Sequence, residues 1–212
     1  LIMATHFERQ LEALHVQIIT MGSFCEKAIS LSNKAIRGED CIKAIFETDR
    51  EIDTKEREIE NLCMRILLHQ QPVARDLRQI SAALKMITDM ERIGDQAFDI
   101  ADITKSGSFQ GFSGKVHIKE MAKAAIHMVT DSVDSYVKQD VQLAKRVTEE
   151  DDVVDELFLK VRRELAKLIH TDQNASEQAL DLLMIAKYLE RIGDHAVNVS
   201  EWVIYSVTGK HM

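Results

Sequence analysis

A single proline, Pro72, stands in a chain of 212 residues, and only eight glycines accompany it. A chain with so few breakers has few places to turn, and sheets need frequent turns, so the polypeptide must run in long helices. Aromatic residues make up only 5% of the composition, which also disfavours β-structure. The expected fold class is therefore all-α.

Apolar spacing and punctuation divide the chain into six segments. The first helix runs from about Thr5 to Arg37, with Phe7, Leu11, Leu14, Ile18, Met21 and Cys25 at steps of three and four, and Gly38 ends it. The second opens with Asp40 as N-cap and carries Ile45, Ile52, Ile59 and Ile66 on one face to about His69. Pro72 suits the start of a third helix that continues to about Thr104. The stretch KSGSFQGFSGK, Lys105 to Lys115, reads as a junction. The fourth helix then covers about Val116 to Val137 and the fifth about Asp140 to His170. The sixth follows the turn TDQNAS and reaches about Val207, before Gly209.

The second set repeats the first. ERIGD occurs at Glu91–Asp95 and again at Glu190–Asp194, 99 positions later, and DREID at Asp49–Asp53 has its counterpart in DDVVD at Asp151–Asp155, 102 positions later. The expected organisation is two tandem three-helix bundles, residues 3–104 and 116–209, joined by 105–115. Met3 reads as an initiator, with Leu1 and Ile2 left from an upstream start or the cloned fragment.

The repeated motifs gather acid. Glu91, Asp95 and Asp99 follow one another at four-residue steps on the third helix, beside the apolar line through Ile80, Leu84, Ile87 and Gly94. Asp49, Asp53 and Glu56 take the same shoulder on the second helix. In the second repeat the corresponding positions are Asp151 and Asp155, then Glu190, Asp194 and Asn198. Carboxylates crowded at the edge of a low-dielectric core repel one another unless protons, basic side chains or a cation compensate. Solvated acids and ion pairs to Arg92 and Arg191 are the ordinary explanation of one such stripe. Recurrence on two helices of both repeats points instead to metal binding, and all-oxygen donors suit Mg²⁺, Mn²⁺, Ca²⁺ or iron. Phe158 replaces Glu56, Arg162 replaces Glu60 and Asn198 replaces Asp99, so the second site should hold metal more weakly.

Other features exclude or constrain. A formal charge of −8 argues against nucleic acid as partner. Three scattered cysteines, Cys25, Cys41 and Cys63, read as reduced thiols, with Cys63 in the core. No run approaches the ~20 apolar residues of a membrane span, and LIMATHFERQ lacks the features of a signal peptide. His195 is either a ligand, a neighbour of one or a surface residue, and Trp202 and Tyr205 read as packing or interface.

QQPVARDLRQI (Gln70–Ile80), ITDMERIGDQA (Ile87–Ala97) and KYLERIGDHAVNVSEWVIYSVTG (Lys187–Gly209) closely resemble the PhoU family of phosphate-signalling proteins, and the likeness extends from Met3 to Gly209. The resemblance implies two similar three-helix bundles in a cytoplasmic regulator. Its partners would be the phosphate-specific ABC transporter, through the ATPase subunit, and the sensor histidine kinase of the phosphate response. It would restrain uptake and starvation genes when phosphate is ample, and touch the membrane only through those partners. It also implies a homodimer, and iron or zinc, in a multinuclear cluster in some members, held by E/DxxxD motifs. By position those are Asp49, Asp53, Glu91 and Asp95, then Asp151, Asp155, Glu190 and Asp194. No catalysis is implied. The rival reading is a carboxylate-bridged di-metal enzyme, which calls for Glu-x-x-His pairs; Glu12–His15 alone has that spacing.

Overall fold

The structure is a computed structural model that describes residues 5–107, 109–112 and 115–211. The positions assigned to Leu1, Ile2 and Met3 lie outside the described residues, as do three residues of the junction. Among the described residues the regular structure is entirely helical: α1 (His6–Ile36), α2 (Ile42–Gln70), α3 (Ala74–Ile103), α4 (Ile118–Lys138), α5 (Val141–Thr171) and α6 (Ser176–Thr208). The fold is all-α, two similar three-helix repeats in tandem.

Local chemistry sets the ends. Thr5 caps α1 through a reciprocal box, its hydroxyl accepting from the Glu8 N–H while the Glu8 carboxylate accepts from the Thr5 N–H. Asp140 caps α5 by accepting from the N–H groups of Gln142 and Leu143. Two expected starts differ. Cys41, not Asp40, holds the N-cap position of α2 and makes no side-chain cap bond. Cys41 is buried with Ala35, Ile45 and Ala101, so packing wins over capping there. Pro72 does not open α3, because Gln71 leaves α2 in the left-handed region and Pro72–Val73 bridge to a start at Ala74. In the junction, residues 104–106 and 110–112 form short 3₁₀ turns, and Phe109 is buried in the main core.

The repeats share that core. Arg78 and Asp89 of α3, and Ser106 of the 3₁₀ turn that follows it, meet Ser206, His195 and Asp181 in turn, so numbers climb along α3 as they fall on α6 and the two helices are antiparallel. Helices α1 and α4 cross the halves the same way: His15 lies edge-on to the Tyr136 ring and Thr130 donates to Glu26. One buried cluster runs from Leu14 and Ile18 of α1 through Met90 and Ile93 of α3 to Ile192 and Val203 of α6. Helix α2 packs outside on α1 and α3, and α5 outside on α4 and α6. The groove α2/α3 of the first repeat thus corresponds to α5/α6 of the second.

Candidate functional site

The acidic shoulders meet in those grooves. In the first, burial and then the fields of Asp53, Asp95 and Asp99 push the Asp49 carboxyl up to about 6. Burial, then Asp95 and Glu56, push Glu91 up to about 7 in spite of Arg92. Glu56 is raised by burial, by Asp53 and Glu60 on its own helix, and by Asp95 across the groove. Asp99 is raised by burial, Asp95 and Asp102, against the pull of Arg191. All six carboxylates predicted for this groove, Asp49, Asp53, Glu56, Glu91, Asp95 and Asp99, thus feel one another or a shared neighbour.

The second groove repeats the pattern on fewer residues. Asp151 is pushed up to about 6 by burial, then by Asp155, Asp194, Asp152 and Glu190. Asp155 and Asp194 are raised by burial first and by Glu190 next. Asn198 does not join them. Its amide donates to Asp89 of α3 at 3.0 Å, and His195 shares the same Asp89 oxygen at 2.9 Å through Nδ1. These two residues tie α6 to α3 instead of lining the acidic groove.

What seats the carboxylates is the glycine of ERIGD. A Cβ on Gly94 would lie 2.8 Å from Ile52 Cδ1 and 3.5 Å from Asp49 Oδ1, and one on Gly193 would lie 3.3 Å from Asp151 Oδ1. At Gly94 only glycine lets α2 approach α3 this closely, and at Gly193 the fit of α5 on α6 is tight but leaves a side chain little to displace. Asp49 Oδ1 and Asp151 Oδ1 are both buried and both lack a hydrogen-bond partner. A buried partnerless carboxylate oxygen is costly, and the same one recurs at the equivalent position of each repeat. The oxygen-only donor set and these orphaned atoms fit a hard or borderline cation. The side chains are not drawn into a shell, however. Among the described residues, three ligand atoms lie within 4.8 Å of one another only at His127, Asp131 and Glu150, on α4 and α5.

Basic side chains supply part of the compensation. Arg92 contacts Glu91 at 3.7 Å and Asp95 at 3.2 Å, the ordinary ion pair that sequence reasoning weighed for it. Arg191 faces Asp99 of the other repeat. Sequence reasoning missed Lys187, whose ammonium donates to Glu190 and lies 5.3 Å from the centre of the Phe158 ring. The i,i+3 spacing of Lys187 and Glu190 was its signal. It also missed Asp89, which points away from the acidic stripe and so leaves no mark in the motif's periodicity. Among other residues considered, His15 is half-buried against Tyr136 and Gln79, so the lone Glu-x-x-His pair sits apart from both grooves. Trp202 and Tyr205 pack on each other at 5.8 Å, and the three cysteines are free and buried. A cleft of about 460 Å³ between the end of α1, the junction and the start of α4 shares no lining residue with either groove.

A duplicated helical scaffold with a carboxylate-lined groove in each repeat defines a class of acidic, all-helical tandem-repeat proteins. The PhoU domain matches this chain twice, over residues 18–104 and 118–203, and the chain belongs to the PhoU family. It is 39% identical to a Clostridium acetobutylicum protein named phosphate-specific transport system accessory protein PhoU homolog, covering 97% of this chain and 96% of that one. It is 30% identical to the Escherichia coli protein named phosphate-specific transport system accessory protein PhoU, covering 96% and 86%. Its fold matches the crystal structure of PhoU from Pseudomonas aeruginosa with a TM-score of 0.87 at 32% identity, over 97% of this chain and all of that one. Among the described residues, no helix is long and apolar enough to cross a membrane.

Proposed function

We propose that the protein is an accessory regulator of a phosphate transport system. In this reading it is a non-enzymatic, metal-binding adaptor that restrains uptake and the phosphate-starvation response when phosphate is ample. Membership of the PhoU family and its relatives' designation as phosphate-specific transport system accessory proteins support the phosphate role. The ATPase subunit of the phosphate ABC transporter and a sensor histidine kinase are the partners, reached as a homodimer at the cytoplasmic face of the membrane.

The observation that carries the metal-binding part is the orphaned oxygen of Asp49, repeated at Asp151 and pressed in both cases against the glycine of ERIGD. In the first groove Asp49, Asp53, Glu56, Glu91, Asp95 and Asp99 would hold the ion, and in the second Asp151, Asp155, Glu190 and Asp194. Iron or zinc, or Mg²⁺, Mn²⁺ or Ca²⁺, would supply the positive charge that the clustered carboxylates lack. The chain's own residues set the rest: the two glycines bring the helices together, and Asp89 fixes α3 against α6. The outer helices are thereby held in one position for docking.

Deleting the gene and complementing it tests the reading. A phosphate-starvation reporter should switch on in ample phosphate after deletion, with transporter abundance unchanged. The natural chain should switch it off, and an Asp95→Ala, Asp194→Ala double variant should not. A reporter that stays silent after deletion removes the regulatory role. Metal analysis of both purified proteins tests the adaptor's metal separately.

A further inference from the structure

The two grooves differ in one respect that the carboxylates alone do not reveal. Lys187 lies 99 positions after Thr88, and Phe158 lies 102 after Glu56, so the second repeat exchanges a neutral residue for a cation and a carboxylate for a ring. The exchanged residues meet. Lys187 projects from α6, donates to Glu190 on the same helix, and rests over the Phe158 ring of α5. Its charge also acts on Asp155 of α5 and on Asp194 of α6. A single ammonium therefore spans the groove, touching or stabilising groups on both walls. Among the described residues the first groove shows no such bridge, and Arg57 acts on Glu56 of its own helix α2. Arg92 pairs with Glu91 and Asp95, both on its own helix α3. Arg191 reaches Asp99 from the α6 side, away from α2.

We infer that Lys187 is the second groove's own bridging cation, so that the first groove takes up a multivalent ion at lower concentration than the second, and the second loads only when Lys187 swings away. A lysine on a flexible stem can do this, since its ammonium is a point charge held here by one carboxylate and one aromatic face. The inference rests on the metal-binding reading above and assigns the specificity of each groove to one residue pair, Lys187–Phe158 against Thr88–Glu56.

Manganese(II) is the probe, followed by equilibrium dialysis and by the loss of the free-ion electron paramagnetic resonance signal. All proteins carry His127→Ala, so that the His127–Asp131–Glu150 group contributes no binding. Two affinity classes are expected, and Asp95→Ala removes the tighter one. In the Asp95→Ala background, Lys187→Met should tighten the remaining class by about tenfold, because a unit charge a few ångströms from the ion is removed while contact with Phe158 is kept. Lys187→Arg in that background should leave it weak. Thr88→Lys in an otherwise natural first groove should weaken the tight class. The inference is overturned if Lys187→Met leaves the affinity unchanged, or if Asp194→Ala removes the tight class in place of Asp95→Ala. Failure of the underlying reading looks different: the His127→Ala parent and its Asp95→Ala and Asp194→Ala derivatives then bind equally little manganese, and the inference goes with it. Circular dichroism melts of each variant confirm that the helices are intact.

Discussion

Replacing Asp49 by asparagine should stabilise the metal-free protein and abolish the stabilisation that an ion in the first groove supplies, two effects of opposite sign from one atom. Burial and three neighbouring carboxylates raise the Asp49 pKa from 3.8 to about 6. Taken at about 1.4 kcal/mol per unit, a two-unit shift sets an upper limit near 3 kcal/mol on the strain of holding the charge at neutral pH. The side chain is partly exposed, and water screens its neighbours, so roughly 1 kcal/mol is the expected gain on neutralising it. For a chain of this size that is about 2–4 °C in melting temperature. Asparagine keeps the shape and retains an oxygen at the buried position while removing the charge. In saturating manganese the order reverses. An ion at a hundred times its dissociation constant stabilises the natural protein by about 2.7 kcal/mol, which the variant should lose. Thermal melts by circular dichroism in EDTA and in manganese measure both. If Asp49→Asn melts below the natural protein in EDTA, the crowded-charge account of this groove is wrong.

Further outcomes follow from the same geometry. Metal-free protein should melt higher at pH 5.5 than at pH 7.5. Asp49, Glu91 and Asp151, raised to about 6, 7 and 6, keep protons in the folded state that the unfolded chain has lost. Their contribution is full below about pH 4 and disappears as pH rises through those values. An Asp49→Asn, Glu91→Gln, Asp151→Asn variant should flatten that trend, and an unchanged slope refutes it. Gly94→Ala should destabilise by about 1–2 kcal/mol in urea melts, because its Cβ would lie 2.8 Å from the buried Ile52 side chain and overpacking exceeds the helix-propensity gain. Gly193→Ala should be nearly neutral, since its nearest contact is 3.3 Å; equal costs at the two positions would sink the distinction. Asp89→Ala should cost about 1–3 kcal/mol by leaving His195 and Asn198 without their shared acceptor, and a loss no larger than for an exposed control such as Asp152→Ala would show that the tie contributes little.

Much of this architecture was written in local pattern. The apolar steps of α1, the Ile45–Ile52–Ile59–Ile66 stripe of α2 and the recurrence of ERIGD are short-range signals, and each corresponds to a helix face buried in the structure. The acidic shoulders could also be placed beside the core, because helix geometry fixes angle from sequence distance. Where tertiary contacts decide, the sequence was silent. Burial of Cys41 outcompeted a better capping residue next to it, and the left-handed Gln71 consumed the turn that Pro72 was expected to begin. Phe109 looked like part of a polar linker, yet it fills the shared core. The antiparallel pairing of α3 with α6 depends on register between repeats, which no periodicity within one helix encodes. That register turned Asn198 away from the acidic groove and toward Asp89.

The burial of every native thiol has a practical consequence. Cys25, Cys41 and Cys63 lie inside the helical body, and burial pushes the Cys63 thiol up to about 12 and raises the other two, so a maleimide meets no ready thiolate on the intact protein. Cysteines introduced at exposed Thr54 of α2 and Glu156 of α5 would then take up spectroscopic labels selectively, without editing the interior. A pair of spin labels there turns the separation of the two outer rods into a ruler, readable as ions or partner proteins are added.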